Sequence, residues 1–92
     1  RRLFIRGDLD GNGMVDVNDA REIFALAENQ LRIVCMESAD VDGNGKIGRE
    51  DGVRLMNFIM TGQNPPAAPW PGCGPAPKAD SSLGCFENRC KP

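Results

Sequence analysis

Asp8–Asp19, DLDGNGMVDVND, and Asp40–Asp51, DVDGNGKIGRED, are two copies of one acidic stretch, thirty-two positions apart. Six of the twelve positions are identical: aspartate at one, three and twelve, asparagine at five, glycine at four and six. The alternation Asp-x-Asp-x-Asn sets side-chain oxygens at positions one, three and five, and a glycine at six lets the backbone turn sharply around a common centre. A carboxylate at position twelve closes the shell from the first turn of a following helix. An all-oxygen set at this spacing suits a hard divalent cation, and calcium in particular. Asp, Asn and Gly also make ordinary turns, but two such runs in register, each closed by aspartate, make chance a poor explanation.

Each loop then has a ligand set. In the first these are Asp8, Asp10, Asn12, the main-chain carbonyl of Met14, and Asp19, with Asp16 at position nine helping directly or through water. In the second they are Asp40, Asp42, Asn44, the carbonyl of Lys46, and Asp51. Gly48 stands at position nine there, so a water is expected in place of a side chain. The expectation is two calcium ions, held more tightly at the first loop, which offers four carboxylates against three.

The chain has 92 residues and a formal charge of −2, with eight of its 13 acidic residues inside the two loops. Outside them it is mildly basic, with no basic stripe and no aromatic platform for nucleic acid. It contains no histidine, which excludes imidazole acid–base chemistry and the usual zinc and haem ligation. No apolar run approaches the length of a membrane span. The paired carboxylates would be consumed by ligation, so no enzyme activity is expected. At this length a single small core is expected, near the lower limit for self-sufficiency.

Arg1–Gly7 is too short for a helix entering the first loop. An ordinary EF-hand has helices on both sides of its loop; here only the exiting one is expected. Ala20, Ile23, Phe24 and Ala27 recur at helical spacing, widened by Leu26, and predict a helix over 17–29. Val53, Leu55, Met56, Ile59 and Met60 predict a second over 49–61, stopped by Gly62. A short helix is expected across 31–37. Val15 and Ile47, apolar at loop position eight, are expected to pair their backbones as in coupled calcium loops.

Residues 63–77 hold six prolines and predict an extended segment. Trp70 within it is expected to clamp the tail onto an apolar groove. Cys35, Cys73, Cys85 and Cys90 lack the CxxC form of a zinc site and indicate an oxidising compartment. Four cysteines allow three pairings; Cys35–Cys73 with Cys85–Cys90 is favoured, and Cys35–Cys90 with Cys73–Cys85 is its rival. The domain plan is thus 1–62, with repeats at 8–29 and 40–61, followed by a Pro-rich, Cys-containing tail over 63–92. With no initiator methionine and no signal peptide, the chain is expected to be a processed piece or a module of a larger secreted protein.

GDLDGNGMVDVNDA at 7–20 and ADVDGNGKIGREDG at 39–52, each followed by an amphipathic helix, resemble a dockerin domain over about residues 6–62. The tail resembles C-terminal modules on large secreted proteins of planctomycete-type bacteria. The resemblance implies an all-α, pseudo-symmetric pair of EF-hand-like loop–helix (F-hand) motifs with an irregular disulfide-bearing extension. It further implies calcium-dependent docking to a cohesin-like β-sandwich or another extracellular protein, outside the cell, on its surface or in the periplasm. Recognition would fall at loop positions ten and eleven and along the next helix. Those residues are Val17, Asn18 and Arg21 in the first repeat, and Arg49 and Glu50 in the second. The family's Ser-Thr pair is absent from both repeats, and their charges differ, which argues against two interchangeable binding orientations. The alternatives are a structural calcium module packed against its own parent protein or within a larger secreted complex, or an EF-hand buffer or sensor.

Overall fold

The computed structural model describes residues 2–77 and 83–91. Arg1, residues 78–82 and Pro92, parts of the expected segments 1–62 and 63–92, lie outside them. Helix α1 spans Val17–Asn29 and α2 spans Arg49–Thr61, with one turn of 3₁₀ helix, Met36–Ala39, between them. Each α-helix starts where its acidic loop ends. Asp16 Oδ1 accepts the amides of Asn18 at 3.1 Å and Asp19 at 3.4 Å, which satisfies two of the first turn's orphan donors. Gly62 ends α2 in the left-handed region at φ 76°, its N–H donating to Phe58 O. Gln30 ends α1 in the same region at φ 54°.

The two helices pack on each other over a core of Leu9, Ala20, Ile23, Leu26, Ala39, Val41 and Leu55. Leu9 and Val41 occupy loop position two, so each loop contributes one buried apolar side chain beside its acidic face. Val15 and Ile47 are half-buried against this core. Their expected backbone pairing is not formed. Among the described residues the isolated bridges are Phe4–Gly74 and Cys35–Cys85.

Of the apolar residues expected to face the core from α2, Leu55 is buried and Met56 and Ile59 are half-buried, whereas Val53 and Met60 face solvent. The helix expected over 31–37 is likewise reduced to the 3₁₀ turn. Val34 and Cys35 are drawn out by a neighbouring segment: Phe86 N–H donates to Val34 O at 3.0 Å and Glu37 N–H to Gly84 O at 3.2 Å.

The residues after α2 fold back over the repeats. Ala67 N–H donates to Val41 O (2.9 Å), Arg6 N–H to Pro69 O (2.7 Å), and Phe4 and Gly74 exchange both backbone bonds. Trp70 is half-buried and meets Phe58 of α2 edge-on, ring centroids 5.0 Å apart, the clamp expected of it. This path decides the disulfides, which are Cys35–Cys85 and Cys73–Cys90, neither the favoured pairing nor its rival. Residues 84–86 run beside Val34–Glu37 and bring Cys85 to Cys35. Residues 2–4 lie between Gly74 on one side and Asn88–Arg89 on the other, through Arg89 N–H to Leu3 O and Leu3 N–H to Asn88 Oδ1. That sandwich brings Cys90 to Cys73. Backbone pairing between segments distant in sequence sets both bonds.

Candidate metal centres

In each loop the same lattice of hydrogen bonds draws the carboxylates together. Asp8 Oδ2 accepts Gly13 N–H and Asp40 Oδ2 accepts Gly45 N–H, both at 2.9 Å. Gly13 and Gly45 each sit at φ 89°, a left-handed conformation that a side chain would strain. Asn12 Oδ1 holds the amide of Met14, and Asn44 Oδ1 that of Lys46, at 2.9 Å. The closing aspartates reach back across their loops. Asp19 accepts Leu9 N–H and Asp16 N–H at 2.9 and 3.0 Å. Asp51 accepts Val41 N–H and Gly48 N–H at 3.1 and 3.0 Å.

Two acidic clusters result: Asp8, Asp10 and Asp19, and Asp40, Asp42 and Asp51, with carboxylate oxygens within 4.8 Å of one another in each. Asp8, Asp19, Asp40 and Asp51 are almost wholly buried. Burial, aided by neighbouring aspartates, pushes the carboxyl of Asp8 up to about 6, Asp19 to about 7 and Asp51 to about 6, and raises Asp40. In each cluster two dry carboxylates lie close to a third that is more open to solvent, exposed Asp10 or half-buried Asp42, and such a group cannot fully ionise without compensation.

The residues present fit calcium. Every side chain in the clusters offers oxygen, as a hard cation requires. Asp8 Oδ1 is buried with no hydrogen-bond partner among the described residues, and a buried acceptor of that kind calls for a donor or a cation. Met14 and Lys46 carry exposed side chains, so only their main chain is available at position seven. Asp16 stands apart from the cluster as the cap of α1. The sequence carried a signal for this role, an aspartate three residues before another at a helix start.

The five residues expected to meet a partner are all exposed. Val17, Asn18 and Arg21 lie on the first turns of α1. Arg49 and Glu50 open α2, and the Arg49 guanidinium lies 5.9 Å from the Phe24 ring of the other helix. Beside Glu50 a groove of about 350 Å³ runs along α2, lined by Val53, Arg54, Asn57 and Asn64. Nothing in the sequence singled out Arg6, which is buried and hydrogen-bonded to three separate carbonyls.

A search of solved structures finds a likeness to the third cohesin ScaC in complex with the ScaB dockerin from Acetivibrio cellulolyticus, with a mutation in the C-terminal helix and displaying a type I interaction. The match has 36% sequence identity and a TM-score of 0.60, over 68% of this chain and 92% of the other. A two-helix fold does not superpose on a β-sandwich, so the matching partner is the dockerin. No family model matches the chain, and no curated protein matches it.

Proposed function

The chain belongs to the dockerin family, and we propose that it is a calcium-dependent docking module, which attaches a secreted protein to a cohesin-like partner or extracellular assembly. The observation that carries this reading is the pair of carboxylate clusters, each with two buried aspartates and one more open to solvent, placed at the start of a helix whose opening pair, Val17 and Asn18 or Arg49 and Glu50, is exposed. Asp8, Asp10, Asn12 and Asp19 would hold one ion, and Asp40, Asp42, Asn44 and Asp51 the other, with the carbonyls of Met14 and Lys46. Asp16 would act from outside, through its charge or through a water. Bound calcium would neutralise each cluster and tie the start of the loop to the first turn of its helix.

Partner recognition is assigned to Val17, Asn18 and Arg21 at one helix start, and to Arg49 and Glu50 at the other. The first set is mostly neutral and the second is a charged pair, so the two faces offer different chemistry and a single binding orientation follows. The disulfides fit an extracellular setting. A sensor role is disfavoured, because opening an EF-hand moves an entering helix against an exiting one, and residues 2–7 form no helix. The cis-packing alternative draws on exposed Val53 and Met60 of α2, which would be covered by the parent protein.

The test is calorimetric titration of the domain, in calcium and then in chelator, against the ScaC third cohesin and the cohesins of the source genome. Binding in calcium and none in chelator is expected. No binding to any cohesin in calcium would reject the cohesin reading.

A further inference from the structure

The two loops share the main bonds to their first, fifth and twelfth positions, but their surroundings differ. Arg6, two residues before the first loop, crosses to the second. Its Nη1 donates to Asp40 O at 2.9 Å and to Glu37 O at 3.0 Å, and its Nε to Ala68 O at 2.8 Å. Nη2 lies 3.7 Å from Glu37 Oε2, and both side chains are almost fully buried. The guanidinium thus joins three segments: the 3₁₀ turn, the first ligand residue of the second loop, and the tail. The tail adds its own contact, Ala67 N–H to Val41 O, and a Cβ on Gly43 would lie 3.4 Å from that of Ala67.

The pseudo-symmetric counterpart of Arg6 is Ser38, whose hydroxyl donates locally to Cys35 O at 2.7 Å and crosses to neither loop. Arg89 of the tail packs over Gly11 in the first loop, but it is part-exposed and its hydrogen bond to that loop is one long bond to Leu9 O at 3.4 Å. The strong brace is one-sided.

We propose that Arg6 is a positioning residue for the second calcium loop, and that with residues 65–69 of the tail it sets calcium affinity at that loop and not at the first. This rests on the calcium reading above. Arg6 fixes the main chain at Asp40; hydrogen bonds made directly to a ligating group are worth about 10- to 100-fold in metal affinity, and a bond to the ligand residue's main chain should lie at the lower end of that range. Its charge acts in the opposite sense, since a cation near the site repels calcium, but Glu37 beside it offsets that repulsion. The fork geometry is therefore the dominant effect. A lysine keeps the charge and cannot reproduce three directed bonds.

The experiment is a calcium titration of the oxidised chain, followed by the amide resonances of Gly13 and Gly45, which report the first and second loops separately. Wild type, Arg6→Lys, Arg6→Met and Ala67→Pro are compared. Both Arg6 variants should weaken calcium at the Gly45 site by about tenfold or more and leave the Gly13 site unchanged. Ala67→Pro, which removes the bond to Val41 O and leaves Arg6 in place, should weaken the same site by less, and keeps the comparison usable if the Arg6 variants do not fold. Equal weakening at both sites, no change at either, or tightening at the second site in Arg6→Met would overturn the brace. A wild-type protein that binds no calcium overturns the calcium reading itself; one that fills both sites, with variants that do not discriminate between them, overturns only the brace.

Discussion

The Phe24 ring of α1 lies directly over Gly52 of α2, where a Cβ would come within 2.9 Å of the ring. Gly52 is the counterpart of Ala20, and both are buried. The helices approach closely because these two positions are small. Gly52→Leu should separate them and destabilise the calcium-loaded domain by about 1–3 kcal/mol, the usual penalty for overpacking. Gly52→Ala should be close to neutral, because the strain on the ring is offset by about 1 kcal/mol of helix propensity. Denaturant midpoints for the two variants check this; a stabilising Gly52→Leu would refute it.

The metal-free protein should lose stability as pH rises. Asp8, Asp19 and Asp51 have native-state values of about 6, 7 and 6, against an ordinary 3.8. The folded state therefore binds these protons more tightly than the unfolded chain. Their contribution is fully present below about 4 and is lost as pH climbs through about 6 to 7. Calcium needs the deprotonated groups, so its contribution grows over the same window. Melting in chelator should occur at lower temperature at pH 8 than at pH 5, and millimolar calcium should reverse the order. A chelated protein more stable at pH 8 would contradict the burial argument.

Asp51→Ala should reduce calcium stoichiometry from two to one and also leave the amides of Val41 and Gly48 without their acceptor. An orphaned buried donor costs about 1–3 kcal/mol, so the variant should be less stable than wild type even in chelator. Asp19→Ala should do the same at the first loop. Calorimetry on the two single-site proteins ranks the sites: the first loop carries the extra charge of Asp16, so the site left in Asp51→Ala should bind more tightly than the one left in Asp19→Ala. The reverse order would show that the charge of Asp16 is outweighed, as the Arg6 brace on the second loop would do.

The disulfides should differ in what they contribute. Cys35–Cys85 spans 50 residues and Cys73–Cys90 spans 17. In the chain-entropy picture these are worth about 4 and about 3 kcal/mol. Replacing Cys35 and Cys85 by serine should thus lower the unfolding midpoint more than replacing Cys73 and Cys90. Peptide mapping without reduction gives the direct check, and a Cys85–Cys90 peptide would overturn the pairing.

Saturating calcium should add to this. At 100 times its dissociation constant, each bound ion stabilises the fold by about 2.7 kcal/mol. In a domain of this size, that is a large share of the total. Circular dichroism should therefore show a rise in helix content or in melting temperature on adding calcium; no change in either would count against a folding role for the ion.

What could be read from the chain alone was local. The ligand alternation, the turn glycines and the closing aspartates all act within twelve residues, and the bonds from Asp51 to Val41 and Gly48 are set by that spacing. Both α-helices begin and end where apolar periodicity and stop signals put them, because capping and amphipathic stripes are properties of neighbouring residues. What only the tertiary structure decided depends on segments far apart in sequence. Cys85 meets Cys35 because residues 84–86 pair with 34–37. Val53 and Met60 face solvent because the groove between two short helices has room for one stripe. Arg6 is buried because three carbonyls from the 3₁₀ turn, the second loop and the tail converge on it, and no pattern in the sequence marks such a convergence. Loop chemistry is written in spacing; the partners of Arg6, the cysteines and Gly52 are chosen by packing, where the contacts of one segment depend on where all the others lie.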